Sequence, residues 1–288
     1  MLKKSHVFVL LLILPLHFAL AANEDVLAYI QYDNDYWQAY VRQADGQHKR
    51  LTDSAYDKST VSWLADGKHV FVGGIQGQGE IINIETGGSE KIKLPKREIN
   101  DAVISPDGNK IIYSYIPKNS PNNKLWLYDV ESGKDQPLLI KQPGRQYDPK
   151  WNVKGDRYYF TTGESHQAYG INTAVPGKQG SDPVIQNAVL NFDVDLSPSG
   201  KIAWSSNFKQ SFDIWIKHGK KTTQLTTASG SETHPSWSSN ESTIYFVQVV
   251  DGINNIWRIA ADGEGKAKQV TFSKTGARYP SVYKKVVK

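Results

Sequence analysis

Gln224–Asp262 reads QLTTASGSETHPSWSSNESTIYFVQVVDGINNIWRIAAD. It opens on Leu225-Thr226, runs through eight small and polar residues, and reaches Pro235-Ser-Trp237-Ser. A tight turn follows, then two alternating apolar runs, Thr243–Phe246 and Asn255–Arg258. Alternation of period two marks strands, and the polar clusters between the runs mark turns. The stretch is one four-stranded module.

Weaker copies of it fill the chain. With Trp237 as anchor, the same pattern recurs at Val61-Ser-Trp63-Leu-Ala-Asp-Gly67, Val103-Ile104-Ser-Pro-Asp-Gly108, Pro149-Lys-Trp151-Asn-Val-Lys-Gly155, Asp195-Leu196-Ser-Pro-Ser-Gly200 and Pro280-Ser-Val282. The anchors at 63, 104, 151, 196, 237 and 282 are 41, 47, 45, 41 and 45 residues apart. A period in the forties with four strands per unit is the mark of a β-propeller blade. Ser-Pro-Asp-Gly is a turn, with Pro presetting φ, Asp bonding its own backbone and Gly tolerating positive φ. The period-two alternation suggests sheets buried unequally on their two faces. From Thr52 to Thr60, Thr226 to His234 and Thr271 to Tyr279, the loop into the anchor strand keeps one length.

The two ends add up to one more blade. Val26–Thr52 holds three strands and lacks the inner one, and Tyr279–Val286 supplies an inner strand alone. The expected fold is therefore all-β: a six-bladed β-propeller, its ring closed by the C-terminal inner strand pairing with the N-terminal three. Closure removes the exposed edges that invite aggregation.

The first 21 residues are of another kind. Lys3 and Lys4 precede the apolar run Val7–Leu14, and Pro15 and then Ala19-Leu20-Ala21 follow. This reads as a secretory signal peptide, residues 1–21, cleaved before Ala22, with the propeller over 22–288. The apolar run is too short to span a bilayer. The chain has no cysteine, which excludes a lipid-bearing cysteine, disulfides and thiolate metal sites. The net charge of +5 includes Lys3 and Lys4, so the processed chain carries 32 basic and 29 acidic residues. The basic tail Lys284-Lys285…Lys288 and the run Lys91–Arg97 read as solvated surface, not as a nucleic-acid site. The expected location is the periplasm, without membrane insertion after cleavage and as a monomer.

Pro-Ser-Trp-Ser, Ser-Pro-Asp-Gly, the Ile-Trp third strand and the terminal Leu-Thr together resemble the repeat of the TolB-type β-propellers. The resemblance covers nearly all of 22–288, strongest over Asp213–Val282 and weakest over Gly163–Asn191. It implies a six-bladed propeller and, for TolB itself, a periplasmic role in the Tol–Pal system, where the propeller binds the peptidoglycan-associated lipoprotein. TolB carries an α/β domain ahead of its propeller. Here the blade pattern begins by Val26, so the expectation is a stand-alone propeller.

Propellers place functional groups where loops meet the inner strands. Three residues before each anchor stand Thr60, Asp101, Asp148, Asp193, His234 and Tyr279. In register, these form a ring around one mouth of the central channel. Three readings follow. Asp before an inner strand bonds nearby backbone N–H groups and fixes its loop. The ring instead forms a binding mouth for a cation or a basic partner, with calcium needing six to eight oxygens. Or two carboxylates, or His234, act as acid and base. His234 is the residue that the best-formed repeat alone brings to the ring. No catalytic residue, metal ligand set or cofactor is assigned. Gly163-Glu-Ser165-His166-Gln167 lacks the second glycine of a nucleophile elbow and reads as a hairpin loop. Asp33-Asn34-Asp35 reads as a turn, and Trp126, Trp215 and Trp257 as packing. The expected function is a scaffold holding an envelope protein or peptide. The alternative is a channel-mouth enzyme of the saccharide lyase or hydrolase type, with a metal ion in one version.

Overall fold

The computed structural model describes residues 24–96 and 98–285 and forms six four-stranded antiparallel sheets. The first blade contains β1 (Leu27–Asp33), β2 (Tyr36–Arg42) and β3 (His48–Arg50). The second runs β4 (Lys58–Trp63), β5 (His69–Gly74), β6 (Gln78–Asn83) and β7 (Ser89–Lys93). The third runs β8 (Ala102–Ile104), β9 (Lys110–Tyr115), β10 (Lys124–Asp129) and β11 (Asp135–Pro137). The fourth runs β12 (Arg145–Trp151), β13 (Tyr158–Gly163), β14 (Gly170–Ala174) and β15 (Asp182–Ile185). The fifth runs β16 (Asn191–Leu196), β17 (Ile202–Lys209), β18 (Ser211–His218) and β19 (Lys221–Gln224). The sixth runs β20 (Glu232–Trp237), β21 (Thr243–Val250), β22 (Ile253–Ala260) and β23 (Lys268–Gln269). Finally β24 (Ala277–Val282) pairs with β1, Leu27 facing Val282 and Gln31 facing Ala277. The expected closure, three strands from one end and one from the other, is the topology observed. The signal-peptide reading of 1–21 lies outside the described residues.

The core is divided into six apolar clusters, one between each pair of neighbouring blades. Strand β21 shows how. Ile244 and Phe246 pack toward the fifth blade, while Tyr245 between them packs toward the first. Both faces of each second strand are therefore buried, which corrects the expectation of unequal burial. The period-two pattern sorts residues between two neighbours, not between core and water. Polarity instead grows outward along the blade, and the outer strand β19 (Lys-Thr-Thr-Gln) is mostly exposed.

The recurrent Leu-Thr has a structural reason. Thr52, Thr226 and Thr271 each accept, through Oγ1, the backbone N–H of a third-strand residue: Ala39 at 2.9 Å, Ile214 at 2.9 Å and Ile256 at 2.8 Å. These buried amides sit where the short outer strand has ended, and an unpaired one would cost about 1–3 kcal/mol. For the third blade, Gln146 Oε1 takes the same part toward the Leu125 N–H. The turn in the opening stretch is also explained. Glu241 stands where other copies have Gly and adopts φ +62°. Its carboxylate reaches Ser199 of the preceding blade's turn and Lys201 at 2.9 Å. Against the effect of burial, these contacts hold it down at about 2.

The stretch over 163–191 that matched the repeat least supplies β14 and β15. A fully buried Asn172 occupies β14 where an apolar residue is expected, bonded to Ser181 at 3.1 Å and Gln186 at 3.0 Å. Asn34 and Asp35 form a two-residue hairpin turn with φ of +50° and +68°, matching the turn reading. The Gly163–Gln167 segment leads into the β13–β14 connection, as expected of a hairpin loop.

Deleting Tyr279–Lys288 removes most of β24 and leaves β1 as an open inner edge. The expected outcome is insolubility or a large fall in melting temperature by calorimetry. A truncated protein that melts with the full chain would contradict closure by β24.

Candidate functional site

All six inner strands run in the same direction around the channel, and each has its second edge facing the hole. Groups on that edge have no ladder partner, so side chains of the neighbouring blade supply one. In the layer next to the anchors, five of the six joints have such a link, and the joint between the fourth and fifth blades has a side-chain ion pair. Trp63 Nε1 donates to Ser281 O at 2.7 Å, Ser62 Oγ accepts from Ile104 N–H at 3.2 Å, and Trp151 Nε1 donates to Val103 O at 3.3 Å. Lys150 meets Asp195 at 3.1 Å, Asp195 accepts from Trp237 N–H at 2.8 Å, and Ser236 Oγ accepts from Val282 N–H at 3.0 Å.

Two residues earlier on the same strands lies the ring read from the sequence. Thr60, Asp101, Asp148, Asp193, His234 and Tyr279 all line one cavity of about 100 Å³, with Val103 and Lys150 at its floor. The register argument thus brings six residues from six blades to one mouth. The carboxylates are held across blades. Asp101 Oδ2 accepts the Asp148 N–H at 3.4 Å and Asp193 Oδ2 accepts the His234 N–H at 3.2 Å, while the Asp148 carboxyl faces the Asp193 amide. Thr60 Oγ1 donates to Ala102 O at 2.6 Å. Ser114 and Ser205 donate to Asp101 and Asp193 at 3.0 and 2.9 Å. The expectation that each Asp fixes its own loop is corrected in one respect: the amide it holds belongs to the next blade.

The captured amides lie in bulges. The ladder slips between Tyr147 and Lys150, between Phe192 and Asp195, and between Thr233 and Ser236. Asp148, Asp193, His234 and Tyr279 take φ of +46°, +55°, +52° and +56°. A bulge re-aims a side chain, and left-handed backbone at a non-glycine residue is strained. Pro149, Pro235 and Pro280 follow three of these residues and carry no N–H that would need a partner there.

The carboxylates at the mouth are buried and stand close to one another. Burial pushes the Asp101 carboxyl up, and the neighbouring Asp193 adds to it. Asp148 is pushed well above the ordinary carboxylate range, first by burial and then by Asp101 and Asp193. Like charges in one small space disfavour full ionisation. His234 Nε2 lies 3.3 Å from Asp193 Oδ1 and its ring meets Tyr279 edge-on at 4.6 Å. Aromatic residues flank the ring: Tyr147, Tyr169 and Phe192 lie in sequence with centroids 5.9 and 5.2 Å apart. On the other side Arg278 stacks over Trp37 at 3.7 Å.

Among the described residues, no group of three or more His, Asp or Glu is arranged to hold a metal ion. Trp126, Trp215 and Trp257 pack at the margins of the inter-blade clusters, as expected of frame residues. Sequence reading missed Lys150 and Lys284. Counting one residue back from each anchor, as well as three, would have found Lys150. Lys284 corrects the reading of the basic tail as solvated: its side chain is 9% exposed and lies 2.6 Å from Asp195 Oδ2.

Asp148 binds its proton more tightly folded than unfolded. Its ionisation therefore lowers stability as pH rises from about 4 through its raised native value. Asp148→Asn keeps an oxygen for the Asp193 amide, removes the charge and tolerates positive φ. It should raise the melting temperature by a few degrees at pH 7.5, with the gain vanishing near pH 4. An unchanged or lower melting temperature at pH 7.5 would contradict the like-charge account.

No protein-family model matches the chain, and no curated protein matches it. Solved structures do. TolB from Acinetobacter baumannii is 18% identical with a TM-score of 0.75, over 91% of this chain and 67% of that one. A putative TolB from Agrobacterium tumefaciens is 16% identical with a TM-score of 0.69, over 86% and 88%. An oligogalacturonate lyase in complex with manganese is 13% identical with a TM-score of 0.58, over 81% and 70%. Identities this low speak to fold alone. The chain is a six-bladed β-propeller of TolB-like fold.

Proposed function

We propose that this propeller is an exported binding scaffold of the cell envelope, and that the acidic mouth takes a positively charged segment of a protein or peptide partner. One observation carries the reading: Asp101, Asp148 and Asp193 converge at one mouth, where burial and neighbouring carboxylates resist the ionisation of Asp101 and Asp148. A lysine, arginine or terminal ammonium placed there removes that repulsion. His234 and Tyr279 shape the rest of the rim, and Tyr147 and Phe192 offer aromatic surface beside it. Such a combination suits a cation carried on an apolar chain. The carboxylates serve two purposes at once, since Asp101 and Asp193 also hold the next blade's amide.

Export to the periplasm rests on the N-terminal pattern and on the likeness in fold to TolB. Among the described residues no helix is long and apolar enough to cross a membrane. The enzyme reading has less support. The ring carboxylates are engaged by amides and serines, and His234 bonds Thr233 at 2.9 Å and faces Asp193.

Affinity capture from an envelope extract tests the proposal, comparing the wild-type protein with Asp101→Asn/Asp148→Asn. The expected result is a partner retained by the wild type and lost from the variant. Retention should weaken as ionic strength rises from about 0.1 M to about 1 M, shortening the screening length from about 10 Å to about 3 Å. Equal retention by both proteins would contradict the mouth as the site. Turnover of a uronic oligosaccharide, lost in the same variant, would favour the enzyme instead.

A further inference from the structure

The far end of the channel has the opposite character. Lys284 follows β24 by two residues and turns inward, placing Nζ 2.6 Å from Asp195 Oδ2. Lys150 Nζ stands 3.1 Å from Asp195 Oδ1. The carboxylate between them is 1% exposed. Two ammonium groups therefore share one carboxylate. Among the described residues neither has another acidic partner at ion-pair distance. Asp25 is the next nearest acid to act on Lys284, but its own oxygens hold the Ser239 N–H at 3.3 Å and the Tyr245 hydroxyl at 3.2 Å. The charge states follow this count. Burial pushes Asp195 up, but Lys284 and Lys150 outweigh it and the carboxyl falls below its ordinary value. Burial also holds the Lys284 ammonium below the usual lysine range, and Lys150 adds to that against Asp195.

A cavity of about 70 Å³ opens on this pair. Lys150 and Lys284 are its charged residues, and no acidic side chain lines it. Trp63, Trp151, Leu64 and Val153 form apolar walls. Each lysine ammonium has three N–H donors; Asp195 Oδ2 accepts one from Lys284, while Oδ1 pairs with Lys150 by charge at 3.1 Å without accepting a hydrogen bond. We propose that this end of the channel is a binding site for a small carboxylate with a branched apolar body. Its carboxylate bonds Lys150 and Lys284, and its hydrocarbon packs between the tryptophans. One surplus positive charge calls for a monoanion, and the walls call for hydrocarbon. Sulfate, a dianion, satisfies neither requirement, and phosphate lacks the hydrocarbon. The chemistry fits the carboxyl end of a peptide finishing in an apolar residue, and equally a free branched-chain acid.

NMR titration of the full chain tests the site, following the indole N–H signals of Trp63 and Trp151. The probes are N-acetyl-leucine, isovalerate and N-acetyl-leucinamide, which keeps the body and lacks the charge. The expected result is that an acid shifts both indole signals and binds at least tenfold more tightly than the amide. Binding of N-acetyl-leucine alone identifies a peptide end as the ligand, and equal binding of isovalerate identifies a free acid. In Lys150→Met, with an unchanged melting temperature, affinity for the acid should fall at least tenfold. The acid-against-amide comparison stands without any variant, should Lys150→Met fail to fold. Equal binding of acid and amide, or full affinity in a folded Lys150→Met, would overturn the proposal. So would the absence of any shift at about 10 mM acid, enough to fill a site of about 1 mM Kd.

Discussion

The inner strands of this propeller all run one way around a hole, and that leaves one edge of each without a ladder partner. A backbone group left unpaired in such a place costs about 1–3 kcal/mol. The molecule answers blade by blade with side chains from the neighbour. Ser62, Asp195 and Ser236 take amides in one layer, and Asp101 and Asp193 take them in the other, where Asp148 faces the Asp193 amide. Trp63 and Trp151 give their indole N–H groups to carbonyls across two further joints. Together with the six apolar clusters, these links make the ring one body. β24 completes it by pairing with β1 and receiving Trp63 on Ser281.

The same need creates the chemistry. A carboxylate accepts an amide better than a hydroxyl does, and three of them on consecutive blades build a negative mouth. Its strength as a frame and its strength as a site pull in different directions. Under the proposed function, neutralising Asp148 would stabilise the ring and weaken its hold on a cation, the usual relation between stability and a strained site. At the far end, Lys150 and Lys284 reverse the sign over one shared carboxylate. The channel is therefore acidic at one mouth and basic at the other, with Lys150 reaching the cavities of both.

Much of this was legible in the sequence. The anchor spacing gave six blades, the two unequal ends gave the closure, and counting back from the anchors named six residues that meet at one mouth. That worked because a period-two strand fixes which side chains face the hole. Three things were hidden. Asn172 stands in a core position and is satisfied by Ser181 and Gln186, so the fourth blade lost its apolar signature. The partner of each ring carboxylate lies about 45 residues away, on the next blade, and no local pattern marks it. Lys284 sits in a tail whose composition says solvent, while its position just past the last inner strand sends it into the channel.

The central claim is that ring carboxylates of one blade hold the backbone of the next. Native-state hydrogen exchange of the Asp148, Asp193 and His234 amides tests it most directly, because each lies within a bulge at the open mouth. The account predicts that all three exchange only with global opening, as slowly as the Phe160 amide in the core of the fourth blade. Exchange at the rate of exposed loop amides, while Phe160 stays protected, would contradict it.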